Sequence, residues 1–190
     1  TIRLYFPDKI QSDLSSHLTN EQTHYLKDVM RLKIGDKLSI FNTQGEWNTA
    51  IESYEKNGAK IKIMEKVRNK DNEKNIWLAF SPIKQNPMNF VIQKGTELGI
   101  QKFIPILAER SIVRKINIER IKKIIVESSE QSNRISIPEI NKPESLNNFL
   151  SSFPKNAFLI FGDINSNQKN LKNILEKNFD GPVCILIGPE

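Results

Sequence analysis

The sequence holds one cysteine, Cys184, so no intrachain disulfide can form, and a reducing compartment, the cytoplasm, is expected. It holds two histidines, His17 and His24, and neither stands in a zinc-ligand spacing with Cys184, so no metal site is expected. No apolar run approaches the roughly 18 residues that cross a bilayer. The opening stretch TIRLYFPDKI lacks the apolar core of a secretory signal. Neither G-x-G-x-x-G nor G-x-x-x-x-G-K-[ST] occurs, which argues against a dinucleotide-binding Rossmann unit and a P-loop NTPase. Internal repeats and low-complexity tracts are also missing.

Positive charge is present in excess. Lys and Arg total 28 against 22 Asp and Glu, a net charge of +6, with a pI near 9.3. An excess of that sign favours a polyanionic partner, although Lys-rich sequences are often basic without one. Hydrophobic residues make up 38% and charged residues 26%, a globular balance, and 190 residues suffice for one large domain or two small ones.

The pattern along the chain predicts two domains joined by a linker, at 1–68, 69–75 and 76–190. In the first, Thr19 and Gln22 have capping-box spacing ahead of a helix with Leu26, Val29 and Met30 on one face, stopped by Gly35. Short strands follow. Ala59, Ile61 and Ile63 alternate with Lys60 and Lys62, and Asn57-Gly58 signals a hairpin. Together these suggest a small β-barrel. RNKDNEKN, Arg68 to Asn75, has no apolar residue and reads as a linker. From Ile76, strands alternate with helices: IWLAFSPI, a helix capped by Asn86 with Pro87 at its start and Gly99 at its end, KFIPIL, and a helix capped by Asn117. ISIPEI, ESLNNFLSSF, AFLIFGD, NLKNILEKN and PVCILIG continue the rhythm. That pattern implies a mainly parallel sheet covered on both faces.

Ligands of open α/β sheets bind beyond the carboxyl ends of strands. Two such ends carry glycine, at Phe161-Gly162-Asp163 and Gly188-Pro189-Glu190, either as plain turns or as places where a ligand meets the backbone. Glu109-Arg110-Ser111 is a third strand end, where Arg110 could grip an anion or sit in a surface salt bridge. Lys94 and Glu97 are spaced for an ion pair. ESSEQSNR, Glu127 to Arg134, is either a solvated helix end or a set of hydrogen-bonding groups around small serines that admit a close neighbour.

These stretches resemble the bacterial 16S ribosomal RNA uridine-N3 methyltransferases of the SPOUT superfamily. The resemblance rests on RLYF, HYLKDVMRLKIGDKLSIFNTQGEW, KQNPMNFVIQKGTELGIQKFIPILAERS, ESSEQSNRISIPEI and LIGPE, with Ser128 where alanine is usual. It implies a PUA-like N-terminal barrel, a C-terminal α/β domain with a deep trefoil knot, S-adenosylmethionine as methyl donor and a homodimer acting on the small ribosomal subunit. It places Phe161, Gly162, Gly188, Pro189 and Glu190 in the donor pocket. Arg134, with Arg110 as the alternative, would stabilise the uracil anion or grip the flanking phosphates, and Glu190 is a second catalytic candidate. Arg3, Arg31, Lys94, Arg110 and Arg114 would contact RNA, with Lys60 and Lys62 either adding to that grip or forming a strand's wet face. His24 and Cys184 are expected to be structural. Members of the family continue past Gly-Pro-Glu, so the resemblance also implies a C-terminally truncated knot domain that binds the donor weakly or not at all. Two rival readings are an RNA-binding assembly protein without chemistry and a SPOUT methyltransferase of another nucleotide.

Overall fold

A computed structural model of the chain describes residues 1–70, 72–109, 111, 113, 115–162 and 181–188. Contacts divide it into two units, Thr1–Asn72 with Ser129–Ile137, and Glu73–Ser128 with Pro138–Glu190. Ser129–Ile137 falls within the 76–190 span expected to form the second domain, and its contacts group it with the first unit.

In the first unit, a long hairpin is the backbone of the sheet. Strand β4 (Gly45–Glu55) turns through Lys56-Asn57 into β5 (Gly58–Asn69). Gly58 has a φ of +126°, and a Cβ there would collide with the Leu18 carbonyl, so glycine is required. Ala59, Ile61 and Ile63 are buried while Lys62 is exposed, the alternation expected of a half-buried strand. With β1 (Arg3–Tyr5), β2 (Ser15–His17) and β3 (Lys37–Asn42) the sheet order is β1-β3-β4-β5-β2. Only β1–β3 is parallel. Strands β1 and β2 form its ends, and among the described residues no pairing joins them into a closed barrel. Register shifts at Trp47 and Ile51 mark bulges that add twist to the hairpin. Beyond Ile63, β5 pairs only with β4 among the described residues, and its outer stretch carries exposed Glu65 and Lys66. Leu18, Leu26, Leu38, Ile40, Ile51 and Ile61 make the core.

Thr19 and Gln22 form the capping box of α1 (Asn20–His24), as their spacing predicts. The helix then widens into a π-helical turn, Tyr25–Val29, closed by Met30 N–H donating to the Tyr25 carbonyl at 2.9 Å. The widening moves later side chains off the apolar stripe. Leu26 is buried, but Val29 and Met30 are exposed, which corrects the expected three-residue face. The chain leaves the helix at Arg31, whose φ is +57°, and Gly35 serves the turn into β3 instead of stopping the helix.

The second unit holds the strands β6 (Ile76–Phe80), β7 (Ile100–Leu107), β8 (Glu139–Ile140), β9 (Glu144–Ser145), β10 (Phe158–Phe161) and β11 (Val183–Ile187). Its helices are α2 (Gln85–Glu97), α3 (Ile118–Gln131) and α4 (Leu146–Ser152); residues 129–131 of α3 are grouped with the first unit. All strand pairs are parallel, in the order β10-β11-β6-β7-β8, with β9 also on β7. Ala79, Ile104, Ile106, Phe149, Cys184 and Leu186 are buried together. The helix expected in NLKNILEKN lies outside the described residues.

Helix α2 begins two residues earlier than its proline suggested, so Asn86 lies inside the helix and is not its cap. Lys84 is the N-cap, without a side-chain bond, and Pro87 sits inside the first turn, where a missing N–H costs nothing. Gly99, at φ +97°, ends it as expected. Inside the helix, Gly95 makes room for Phe103 of β7: a Cβ would lie 2.8 Å from the ring. Asn117 caps α3 by accepting from Arg120 N–H at 3.0 Å.

Candidate functional site

Because β11 is inserted between β10 and β6, the carboxyl ends of three parallel strands come side by side. Phe161 pairs with Leu186, and Ile187 with Phe80. The sheet bonding continues one step further, with Ser81 N–H donating to the Ile187 carbonyl at 3.0 Å. The end of β7 is tied in by a hydroxyl pair, Ser81 and Ser111, at 2.9 Å, while Ser111 also accepts from Ala108 N–H.

At this edge the side chains do the opposite of what a core requires. Phe161 is 60% and Ile187 58% exposed, at the ends of β10, whose Leu159 and Ile160 are half-buried, and of β11, whose Cys184 and Leu186 are buried. Gly162 and Gly188 follow them, and nothing lies within 4 Å of where a Cβ would sit on either. The result is an exposed apolar edge with accessible backbone. Such a place suits a flat heteroaromatic group stacked on Phe161, with its polar edge on the main chain. S-adenosylmethionine, which carries an adenine, fits these residues. Phe161, Gly162 and Gly188 are thus brought together; Pro189 and Glu190 lie outside the described residues.

Arg134 is held in the first unit and is 6% exposed. Its Nε and Nη2 donate to the Ser136 hydroxyl at 3.2 and 2.8 Å. The segment before it is fixed from several sides. Helix α3 ends in a left-handed Asn133, φ +61°, a favoured way to reverse out of a helix. Ser128 and Ser129 are buried, and the Ser128 hydroxyl bonds back to the Ile124 carbonyl at 2.6 Å. ESSEQSNR is therefore packed at its serines and is not a wholly solvated helix end.

Arg3 is the main fastener. Its Nε and Nη2 meet the two carboxylate oxygens of Glu46 at 3.0 and 3.2 Å. Nη1 donates to the carbonyls of Ser129 and Glu130, at 3.2 and 3.0 Å, and Nη2 to that of Arg134 at 2.9 Å. The guanidinium also lies 4.3 Å from the centre of the Phe41 ring. Every direction of the fork is engaged, and the side chains of Arg3 and Glu46 are each 9% exposed. The structure thus places Arg3 inside the unit, capping carbonyls of the α3 terminus, instead of presenting it to a phosphate. Glu46 had no signal in the sequence: it sits 43 residues from its partner. Removing either member strands the other charge, a loss of about 3–5 kcal/mol for a buried pair.

The other cationic candidates are spread out. Arg31 is exposed just after the π-helical turn. Lys94 pairs with Glu97 at 2.7 Å, and its ammonium lies 5.9 Å from the Phe90 ring centre. That hydrogen bond holds the Glu97 carboxyl below the ordinary carboxylate range. Lys60 bridges to Glu52 at 3.4 Å, and Lys62 is exposed. Arg110 and Arg114 lie outside the described residues. His24 pairs with Asp28 at 2.7 Å on an exposed face of the helical segment. Cys184 is fully buried, and burial pushes its thiol up to about 11, so it stays protonated in the fold. No cluster that could hold a metal ion occurs among the described residues, and none of the described helices is long and apolar enough to cross a membrane.

The chain thus comprises a small, mostly antiparallel sheet unit and a parallel α/β unit. Comparison with known proteins supplies its class. Residues 70–190 match the RNA methyltransferase domain family, and residues 18–64 the RNA methyltransferase PUA domain. The chain belongs to the RNA methyltransferase domain family. The fold is accordingly a PUA-like domain followed by a SPOUT-type methyltransferase domain. Ribosomal RNA small subunit methyltransferase E of Rickettsia conorii is 29% identical, over 99% of this chain and 78% of its own length. The protein of that name from Bacillus subtilis is 31% identical, over 70% of this chain and 55% of its own. A Legionella pneumophila protein solved with the cofactor S-adenosylmethionine superposes with a TM-score of 0.86 at 29% identity, covering 100% of this chain and 80% of that one. The Neisseria gonorrhoeae ribosomal RNA small subunit methyltransferase E, at 24% identity and TM-score 0.85, covers 99% of this chain and 79% of its own, and shows the shared fold.

Proposed function

We propose that this chain carries the donor cradle and RNA-holding unit of an S-adenosylmethionine-dependent methyltransferase that modifies N3 of a uridine in 16S ribosomal RNA of the small subunit. The observation that supports it most is the pairing of exposed Phe161 and Ile187 with unobstructed Gly162 and Gly188 at adjacent strand ends, in a chain of the RNA methyltransferase family. Phe161, Gly162 and Gly188, with Pro189 and Glu190, hold the donor. When bound, the donor supplies a methyl already activated by its sulfonium.

The chain's own residues do the rest. Uracil N3 is a weak nucleophile until it loses its proton, so a cation that stabilises the anion lowers the barrier. Arg134 takes that role, with Glu190 as the second catalytic candidate. Arg31 and Lys94, with Arg110 and Arg114, contact RNA phosphates. The target base is splayed out of its RNA context for reaction. The working enzyme is a cytoplasmic homodimer whose methyltransferase domain is knotted.

The full-length protein, incubated with labelled donor and small-subunit particles, should transfer one methyl to a uridine. Mapping the modified position settles the base. Calorimetry should show donor binding to the full-length protein that weakens at least tenfold in Phe161→Ala. Undiminished binding in that variant would remove the cradle from the donor site, and a full-length protein that binds RNA but transfers no methyl would favour a non-enzymatic role.

A further inference from the structure

The cluster around Arg3 joins the edge strand of the first unit to the backbone that carries Arg134. Three carbonyls at the end of α3 and just past it, of Ser129, Glu130 and Arg134, converge on one guanidinium. Glu46 grips the opposite side of the fork with both oxygens. Two further ties act on the same segment: Tyr5 N–H donates to the Glu130 carboxylate at 2.9 Å, and Arg68 donates to the Asn133 carbonyl at 2.8 Å. Arg68 also lies 3.7 Å from Glu46. Between these ties the chain passes through the left-handed Asn133, immediately before Arg134.

We propose that Arg3, held by Glu46, is a positioning residue for methyl transfer: it fixes the exit from α3 and so aims the Arg134 guanidinium. This rests on the reading of Arg134 as the group that stabilises the uracil anion. The chemistry selects arginine. A planar fork can serve a carboxylate and several carbonyls at once, whereas a lysine ammonium keeps the charge but cannot span them.

The test uses the full-length protein, with small-subunit particles and labelled donor. Arg3→Lys should lower kcat about tenfold, while KM for the particle and Kd for the donor stay within about twofold. Amides of 132–137 should exchange hydrogen faster than in the parent. Glu46→Gln, which loosens the grip without touching Arg3, should act in the same direction and guards against a folding failure in one variant. The double variant Arg3→Lys/Arg134→Ala should be no slower than Arg134→Ala alone, because one residue acts through the other. The proposal is overturned if Arg3→Lys keeps the parent kcat, if it raises KM instead, or if the two losses multiply. An Arg134→Ala protein with unchanged kcat would sink the reading of Arg134 and the clamp with it. A slow Arg134→Ala beside a normal Arg3→Lys would sink the clamp alone.

Discussion

Replacing Gly95 with alanine sets two effects of known size against each other. Gly95 lies inside α2, where glycine costs a helix about 1 kcal/mol relative to alanine. Helix propensity alone therefore predicts a stabilised protein. Packing predicts the reverse. The added methyl would sit 2.8 and 2.9 Å from two ring atoms of Phe103, a side chain with no exposed surface and no room to retreat. Overpacking of this kind costs about 1–3 kcal/mol, or more when the neighbour cannot move. The contact is shorter than real Cβ atoms tolerate, so the upper part of that range applies, and the net loss should be about 1–2 kcal/mol. Urea denaturation followed by circular dichroism measures it. The cause is isolated by a cycle with Phe103→Leu, which removes the offending ring atoms. Gly95→Ala should be harmless or stabilising in that background, giving a coupling of about 1–3 kcal/mol. A Gly95→Ala protein more stable than the parent, or additive behaviour in the cycle, would refute the account of why α2 carries a glycine there.

Further expectations concern separate regions. Thr19→Ala removes the capping hydroxyl of α1 and should cost about 1 kcal/mol in the same assay. Arg31→Gly relieves a left-handed non-glycine residue, so it should stabilise the fold by up to about 1 kcal/mol; it should also weaken RNA binding and flatten its salt dependence by roughly one charge. Cys184 should resist iodoacetamide at neutral pH unless the protein unfolds. Its folded thiol titrates near 11, against 9.0 unperturbed, so the unfolded chain ionises first. Its contribution is intact below about pH 9 and lost as pH rises to about 11, roughly 3 kcal/mol in all, and Cys184→Ala should lack that alkaline loss.

Local signals were the most legible. The period of Ala59, Ile61 and Ile63, the capping box at Thr19, the Asn117 cap and the Gly99 stop each depend on neighbours a few residues away, and each appears in the structure. The strand-end positions of Gly162 and Gly188 were legible too, because each follows an apolar run of strand-forming residues. What escaped was long-range or cooperative. Nothing near Glu46 marks it as the partner of Arg3, since only the β1–β3–β4 order brings them together. The π-helical turn was hidden because its sequence reads as an ordinary amphipathic helix until one extra residue enters the turn. Ser128 and Ser129 were open to two readings, a solvated helix end or small residues that admit a close neighbour, and their burial matches the second.

The long hairpin of the first unit has a consequence for how the protein behaves in a crowded cell. A strand with one unpaired side invites another molecule's backbone to extend the sheet, and repeated extension ends in fibres. Here the vulnerable margin of β5 offers Glu65 and Lys66 to any newcomer, the register shifts in β4 bend the ribbon out of plane, and β1 and β2 are three residues each. Charge, curvature and brevity thus act as built-in protection against self-templating at these margins.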